Sequence, residues 1–335
     1  MAARPGLVLL FYRKRERDKF VRFDRHLKPL LRPLFQKLHR RQKLSGFDVS
    51  FGLLVTSLRR RGVEVRINDE AYARQHPDHP VGLVGDTSLL EGWSLPNPAL
   101  LGRSLYDHPL QAPRLMEDPR FRKYLVLADW MRAMFEPAYG DTLASWFAGI
   151  DINRWDDTRG LAKDIDVLVY DKIRWDRYVL VPGLLEKLRE KIAARNLRIA
   201  ELRYGLHDHA TYENLLRRSR FMLFLCEHET QGLAYQEALA SNVPVLAWDF
   251  GIWADPLWKL AGTSTIPASS VPFFSDACGE TFQTLAGFDA ALDRILEREV
   301  DYRPRAFVAA ALSMDRSSEI YLREYFSLSA ASSGG

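Results

Sequence analysis

The chain has 335 residues, of which 47% are hydrophobic and 12% aromatic, a length and composition suited to two domains with well-filled cores. It contains no run near the ~20 apolar residues that span a bilayer. Most of the charges near its start follow the short apolar stretch at residues 6–12, the reverse of a secretory signal. Two cysteines exclude a disulfide framework and a cysteine-rich metal site. We therefore expect a soluble, cytoplasmic protein.

The net charge of +4 conceals one strongly basic segment. Residues 13–43 contain thirteen Lys or Arg and three Asp or Glu, a local charge of +10, so the rest of the chain sums to −6. Such a segment can bind anionic lipid, an anionic acceptor or nucleic acid, or form the solvated face of a helix. Aromatic residues are sparse in it and no nucleic-acid motif follows. We expect no nucleic-acid partner and leave open an anionic membrane surface, with peripheral attachment to the inner membrane face.

The first half of the chain alternates predicted strands and helices. Residues 6–12 are an apolar run typical of a buried strand, and a basic helical insertion follows at about 13–44. A helix then ends on Gly62. Four further segments are predicted strands: residues 63–68, 81–86, 124–129 and 143–151. Residues 91–119 are rich in Pro and Gly and are predicted to be loops. This order favours a parallel sheet with crossover helices.

A second alternating series follows a polar connector at residues 152–163. Its predicted strands are residues 165–171, 198–205, 221–226 and 243–249. We therefore predict an α/β protein made of two Rossmann-like, doubly wound domains. The predicted division is an N-terminal domain at 1–155, a second domain at 156–310, a C-terminal helix at 311–326 packing toward the first domain, and a disordered tail at 327–335.

One stretch carries most of the chemistry, HETQGLAYQEALASNVPVLAWD at residues 228–249. It supplies a loop after a strand, a helix opened by Gly232, and the next strand. Parallel sheets bind ligands where strands end and helix N-termini present free N–H groups. Gly232 would let a diphosphate approach the backbone, while the carboxylates of Glu229 and Glu237 suit sugar hydroxyls. The alternative interpretation is that both carboxylates are solvated side chains on an ordinary crossover.

The stretch resembles the retaining GT-B glycosyltransferases of the glycosyltransferase family 4 type. Their signature is E-x7-E, followed by a small-residue helix and a strand that begins Pro-Val. The resemblance implies two Rossmann-like domains facing across a cleft, and metal-independent transfer of a sugar from a nucleoside-diphosphate sugar, with no further cofactor. It assigns Glu229 to the donor sugar as a catalytic residue and Glu237 to the ribose. Gly232 and Leu233, at the start of the helix, are assigned to the donor as well.

The resemblance implies further donor-side residues. Lys172 and Arg177 match the two cations that face the diphosphate, with Lys and Arg exchanged relative to the family pattern. Arg174 is a competing candidate for the same role. Gly205, just before a helix, is similar to the place where the base is held. Gly46 is similar to the glycine-rich loop of the first domain, although the double glycine of that loop is absent.

Acceptor-side residues are expected in loops of the first domain. Asp86, Asp107 and His108 are the polar groups at such positions, and Asp107 and His108 are candidates for assisting catalysis. His108 can equally be a structural loop histidine. His207 and His209 flank an aspartate, but a third metal ligand is missing, so we expect no metal.

Two other functions remain open at this stage. One keeps the fold and changes the reaction, as in a nucleotide-sugar epimerase. The other is a catalytically silent GT-B protein that binds membrane, glycan or protein through residues 13–43. For the leading interpretation, the expected partners are a nucleotide-sugar donor and a glycan, lipid-linked or small-molecule acceptor.

Overall fold

The computed structural model describes residues 6–12, 46–103, 105–256 and 265–330. Within these ranges the chain divides into two compact units. Unit 1 contains the described residues up to Gly149 and those from Met314 onward, and unit 2 contains Ile150–Ser313. The predicted basic insertion at 13–44 lies outside the described residues, as does the end of the predicted tail at 331–335.

Each unit contains one parallel sheet, as predicted. The strands of unit 1 are β1 (Leu7–Phe11), β2 (Glu64–Ile67), β3 (Val81–Leu83), β4 (Ala99–Leu101), β5 (Phe121–Val126) and β6 (Leu143–Ser145), in the spatial order β2-β1-β3-β4-β5-β6. The strands of unit 2 are β7 (Ile165–Asp171), β8 (Ile199–Arg203), β9 (Ser219–Cys226), β10 (Val245–Asp249) and β11 (Gly279–Phe282), in the order β11-β10-β9-β7-β8. All paired strands run parallel.

Ten α-helices lie within the described residues. They are α1 (Gly46–Arg60), α2 (Glu70–Gln75), α3 (Asp129–Tyr139), α4 (Arg177–Leu180), α5 (Glu186–Ala194), α6 (His209–Arg218), α7 (Leu233–Ala240), α8 (Leu285–Glu297), α9 (Pro304–Ala311) and α10 (Met314–Ala330). A π-helical turn, Val181–Leu185, joins α4 to α5. None of the helices in these ranges is long and apolar enough to cross a membrane.

The strands form where unbroken apolar runs can be buried on both faces, as parallel sheets require. All seven residues of β7 are buried, and so are the last four of β1. The core of unit 1 also takes in α10, whose Tyr325 hydroxyl accepts a hydrogen bond from the Leu9 amide at 2.9 Å. Unit 2 has a separate core between β7, β9 and the helices α5 and α8.

Several sequence predictions need correction. The region 91–119, predicted as loops, contains β4, because three buried residues are enough for a strand between two others. The strand predicted at 143–151 ends at Ser145. Residues 327–330, predicted as tail, belong to α10, because Leu328 is buried against the core of unit 1.

Candidate functional site

The sheet of unit 2 has a topological switch point between β7 and β9. From β7 the chain crosses to β8 on one side of it, and the strands that come later lie on the other side. Asp171 at the end of β7 is level with Leu225 near the end of β9. The loops after these two strands therefore meet at one place. In open parallel sheets this is the position of ligand sites.

Lys172 and Glu229 form an ion pair at this switch point. Lys172 follows β7 directly and Glu229 lies in the loop after β9, so residues 57 positions apart in sequence come together. Their side chains are 13% and 8% exposed. Burial lowers the pKa of Lys172, but Glu229, with smaller contributions from Cys226 and Tyr204, outweighs the effect of burial, so the pKa is raised. The site therefore holds a firmly protonated ammonium beside a carboxylate.

Gly232 joins this loop to α7, and the backbone there can accommodate no other residue without strain. Its φ is +80°, and a Cβ atom would lie 2.2 Å from the ring of Tyr235 and 3.3 Å from Glu229 Cγ. Tyr235 is fully buried, so its ring has little room to withdraw. The helix begins at the next residue, Leu233, and no side chain caps it. Its first N–H groups are thus available to an anion at the same edge of the sheet.

Glu237 lies one turn inside α7 and is partly buried. Within the ranges that the structure describes, its carboxylate forms neither a hydrogen bond nor an ion pair. Burial raises the pKa of Glu237 to about 8, opposed by Arg154 and reinforced by Glu213. Both of those residues line a cavity of about 280 Å³ beside α6. A carboxylate in such surroundings gains from any ligand that brings hydroxyl donors.

The two arginines after β7 have different surroundings. The Arg177 guanidinium binds both carboxylate oxygens of Asp171, at 2.8 and 2.7 Å, and the Ile173 carbonyl at 2.7 Å. Arg174 donates to the His228 carbonyl, and its guanidinium lies 4.2 Å from the centre of the Trp175 ring. Arg177, the first residue of α4, is therefore held by the last side chain of β7, while Arg174 contacts the loop that carries Glu229. The diphosphate roles of both remain predictions.

The loop after β8 is the place assigned to the base. Gly205 has a φ of +77°, with open space where a Cβ would lie. The neighbouring Tyr204 is 41% exposed, and its ring lies 4.5 Å from Lys172 Nζ. Asp208 caps α6 by accepting from the Thr211 amide at 2.7 Å. No group of three or more potential metal ligands converges in the ranges described. Gly205 and the Lys172–Glu229 pair thus lie on loops that follow neighbouring strands of one sheet, and Leu233 begins the helix that follows one of these loops.

The predicted residues of unit 1 are spread over three places. Gly46 is the first residue of α1, and nothing nearby requires a glycine there. Asp86 accepts from the Ser88 amide at 2.9 Å and so caps a 3₁₀ turn. His108 Nδ1 accepts from the Leu110 amide at 3.1 Å, while the Asp107 amide donates to Gln111. Burial lowers the pKa of His108. These contacts describe loop stabilisation, and the catalytic roles of Asp107 and His108 remain predictions.

Sequence reasoning missed the residues that hold the loop after β9. The buried Glu227 carboxylate accepts from the amides of Arg174 and Trp175, at 2.9 and 3.0 Å, which ties the two loops together. The His228 ring stacks on Trp175, with 5.0 Å between their centres. Burial, followed by the charges of Arg174 and Lys172, lowers the pKa of His228 to about 3, so its ring is neutral. Glu227 was visible in the sequence as a third acidic position beside Glu229, but its amide partners were not.

No family model matches the chain, and no curated protein matches it by sequence. Solved structures do match. Sucrose-phosphate synthase from Thermosynechococcus elongatus aligns with a TM-score of 0.56 at 14% identity, over 98% of this chain and 100% of that one. AviGT4, a glycosyltransferase involved in avilamycin A biosynthesis, aligns with a TM-score of 0.54 at 14% identity, over 97% and 98%.

The structure of TarM is a third match, with a TM-score of 0.49 at 13% identity over 73% of this chain. The chain spans 54%, about half, of the length of TarM. At these identities the likeness establishes the fold and nothing more. The chain therefore has the GT-B glycosyltransferase fold, as the sequence predicted, with one parallel α/β sheet in each unit.

Proposed function

We propose that this protein is a metal-independent, retaining glycosyltransferase that moves a sugar from a nucleoside-diphosphate sugar to an acceptor. One observation carries the proposal: the buried Lys172–Glu229 ion pair at the switch point of unit 2, next to the uncapped N-terminus of α7. AviGT4, one of the structures with this fold, is a glycosyltransferase, which supports sugar transfer as the interpretation of such a site.

The donor is recognised by three kinds of group. The diphosphate binds the first N–H groups of α7 and the Lys172 ammonium, both of which favour an anion. When Lys172 turns to the diphosphate, the Glu229 carboxylate is released to accept hydrogen bonds from the sugar. Glu237 accepts from the ribose hydroxyls, and these donors favour its ionised form over the protonated form that burial favours.

The reaction needs no nucleophile from the protein. The bond between the sugar C1 and the diphosphate oxygen breaks, and its electron pair stays on the departing diphosphate. The acceptor hydroxyl forms the new bond to C1 on the same face, and its proton passes to a phosphate oxygen. Configuration at C1 is therefore retained. Lys172 and the N-terminus of α7 stabilise the charge that develops on the leaving group, which is the task a metal performs in other transferases.

The acceptor and the cellular location belong to the proposal as well. We propose a glycan, lipid-linked or small-molecule acceptor, and a cytoplasmic protein whose basic residues 13–43 contact an anionic membrane surface. Such contact would weaken with salt, because surface charges are screened within about 8 Å at physiological ionic strength.

Turnover of a panel of UDP-, GDP-, ADP- and dTDP-sugars tests the proposal. One donor should release its nucleoside diphosphate, and Glu229→Gln should abolish that release. If the donor is converted, without added acceptor, into a nucleotide sugar whose sugar has a changed configuration, the protein is an epimerase, and the transferase proposal is contradicted. A chain that leaves every donor untouched would contradict both.

A further inference from the structure

Residues 266–273, which we call the strap, lie between β10 and β11 in the chain and contact the candidate donor site from one side. The Ser269 carbonyl accepts a hydrogen bond from the Glu229 amide at 2.9 Å. Further along the strap, the Phe273 amide donates to the Tyr235 hydroxyl at 3.0 Å, and Tyr235 belongs to the first turn of α7. The strap therefore holds both the loop that carries Glu229 and the start of the helix that follows it.

Asp249, the last residue of β10, fixes the strap. Its Oδ1 accepts from the Ser270 amide at 2.9 Å, and its Oδ2 accepts from the Ser269 hydroxyl at 2.9 Å. The oxygen of that hydroxyl in turn accepts from the Val271 amide at 3.0 Å. Hydrogen bonds to an ionised carboxylate are stronger than those between neutral groups. One carboxylate thus orders three consecutive residues of the strap.

The position of the strap is set by β10 and by the residues just after it. Asp249 is level with Cys226 at the end of the neighbouring strand β9, and Glu229 follows Cys226 by three residues. The Ala268 amide donates to the Gly251 carbonyl at 3.1 Å, a second contact between the strap and the chain beyond β10. The backbone of Glu229 is therefore held from β10 as well as from its own strand.

We propose that Asp249 is a positioning residue for Glu229 and acts on it through the strap. The inference rests on the proposed function, in which Lys172 turns to the diphosphate and releases the Glu229 carboxylate to the sugar. The hydrogen bond from the Glu229 amide to Ser269 does not involve Lys172, so it holds the backbone before and after that exchange. Precise placement matters, because a shift of about 1 Å in a group that positions substrate can cost roughly 100-fold in rate.

The first measurement compares the rate of transfer with nucleotide affinity. For the donor that wild type turns over, Asp249→Ala should lower kcat at least about tenfold, because Glu229 is displaced from the sugar. Its affinity for the corresponding nucleoside diphosphate should stay within about twofold of wild type, because that ligand binds Lys172 and the N-terminus of α7. Asp249→Asn should lie between the two proteins, since it keeps an acceptor oxygen for the Ser270 amide.

The second measurement follows the Glu229 amide itself by hydrogen–deuterium exchange in the full chain, read by NMR. Asp249→Ala should speed exchange at Glu229, because loosening the strap opens the hydrogen bond to Ser269. The buried amides of β7 are the internal reference, and their exchange should not change. This readout needs no substrate.

Asp157→Ala is the matched control. Asp157 also accepts from one backbone amide, that of Arg159 at 3.0 Å, and from one side chain, that of Asn242 at 2.9 Å. These residues precede β7 and β10, at the opposite edge of the sheet from Asp249. The control should match wild type both in kcat and in exchange at Glu229.

Three results would count against the proposal or its premise. A loss of kcat in Asp249→Ala with wild-type exchange at Glu229 would mean that Asp249 acts on the donor directly, and faster exchange with wild-type kcat would mean that the strap serves the fold alone. Either result overturns the proposal. If wild type releases nucleoside diphosphate from no donor, the proposed function fails by itself, and unchanged exchange at Glu229 in Asp249→Ala would overturn the role of Asp249 separately.

Discussion

Lys172 and Glu229 depend on each other because both are largely buried. Removing one partner of a buried pair leaves the other uncompensated, which costs about 3–5 kcal/mol, whereas removing both charges costs far less. We therefore expect Lys172→Met to lower the free energy of unfolding by about 3 kcal/mol. The double variant Lys172→Met with Glu229→Gln should recover much of that loss, as measured by urea unfolding.

The activities of the same single and double variants distinguish a functional ion pair from a structural one. Both the single and the double variant should be inactive, although the double variant is well folded. Glu186→Gln, on the exposed surface of α5, is the control for a neutralised glutamate and should change neither property. A double variant that is stable and fully active would show that the pair serves the fold alone.

Glu237 makes stability depend on pH. Its pKa is 4.5 ordinarily and about 8 in the folded protein, so between these values the folded state retains a proton that the unfolded chain has released. Stability contributed by that proton is complete below pH 4.5 and is lost as the pH rises to 8. The steepest slope for one such group is about 1.4 kcal/mol per pH unit.

Glu237→Gln should remove this dependence, because the amide resembles the protonated acid at every pH. Urea unfolding at pH 5, 6, 7 and 8 should show that the free energy of unfolding of the variant rises relative to that of wild type as the pH rises. Parallel stability curves for the two proteins would contradict the assignment of a raised pKa to Glu237.

At the scale of elements, the turn into α7 depends on Gly232 for two reasons, its positive φ and the ring of Tyr235. Gly232→Ala should therefore cost about 3 kcal/mol of stability, from overpacking and backbone strain together. It should also abolish nucleotide binding, because the first N–H groups of α7 move. Gly205→Ala is the control: it has a similar φ of +77° and open space, and should cost about 1 kcal/mol.

The comparison of these two alanine variants by thermal unfolding isolates the steric contribution. Equal losses would mean that the Tyr235 ring yields readily and that the turn is less constrained than its geometry indicates.

At the scale of the whole molecule, the sequence predicted the elements that bury long apolar runs. β7 has seven buried residues, and it could be predicted from its own sequence without knowledge of its neighbours. β11 was missed because its middle residues, Glu280 and Thr281, are not fully buried, so the strand shows no apolar run. β4 was missed because three residues between Pro98 and Gly102 look like part of a loop.

The candidate site was predictable only in part. Glu229, Gly232 and Glu237 lie within one short motif and could be found together. The pairing of Lys172 with Glu229 depends on β7 and β9 being neighbours in the sheet, a fact that no local pattern carries. Arg177 was predicted to face a diphosphate, and that role stays a prediction; its ion pair with Asp171, six residues earlier, was not foreseen.

The central claim is that unit 2 binds and activates a nucleotide sugar through Glu229 and Lys172. The most direct measurement is the steady-state rate of nucleoside diphosphate release from a donor panel, for wild type, Glu229→Gln, Lys172→Met and the control Glu186→Gln. We predict that wild type and the control turn over one donor equally, and that the two site variants lose at least about 100-fold in kcat/KM. Turnover by Glu229→Gln at the wild-type rate, or no release from any donor by wild type, would contradict the claim.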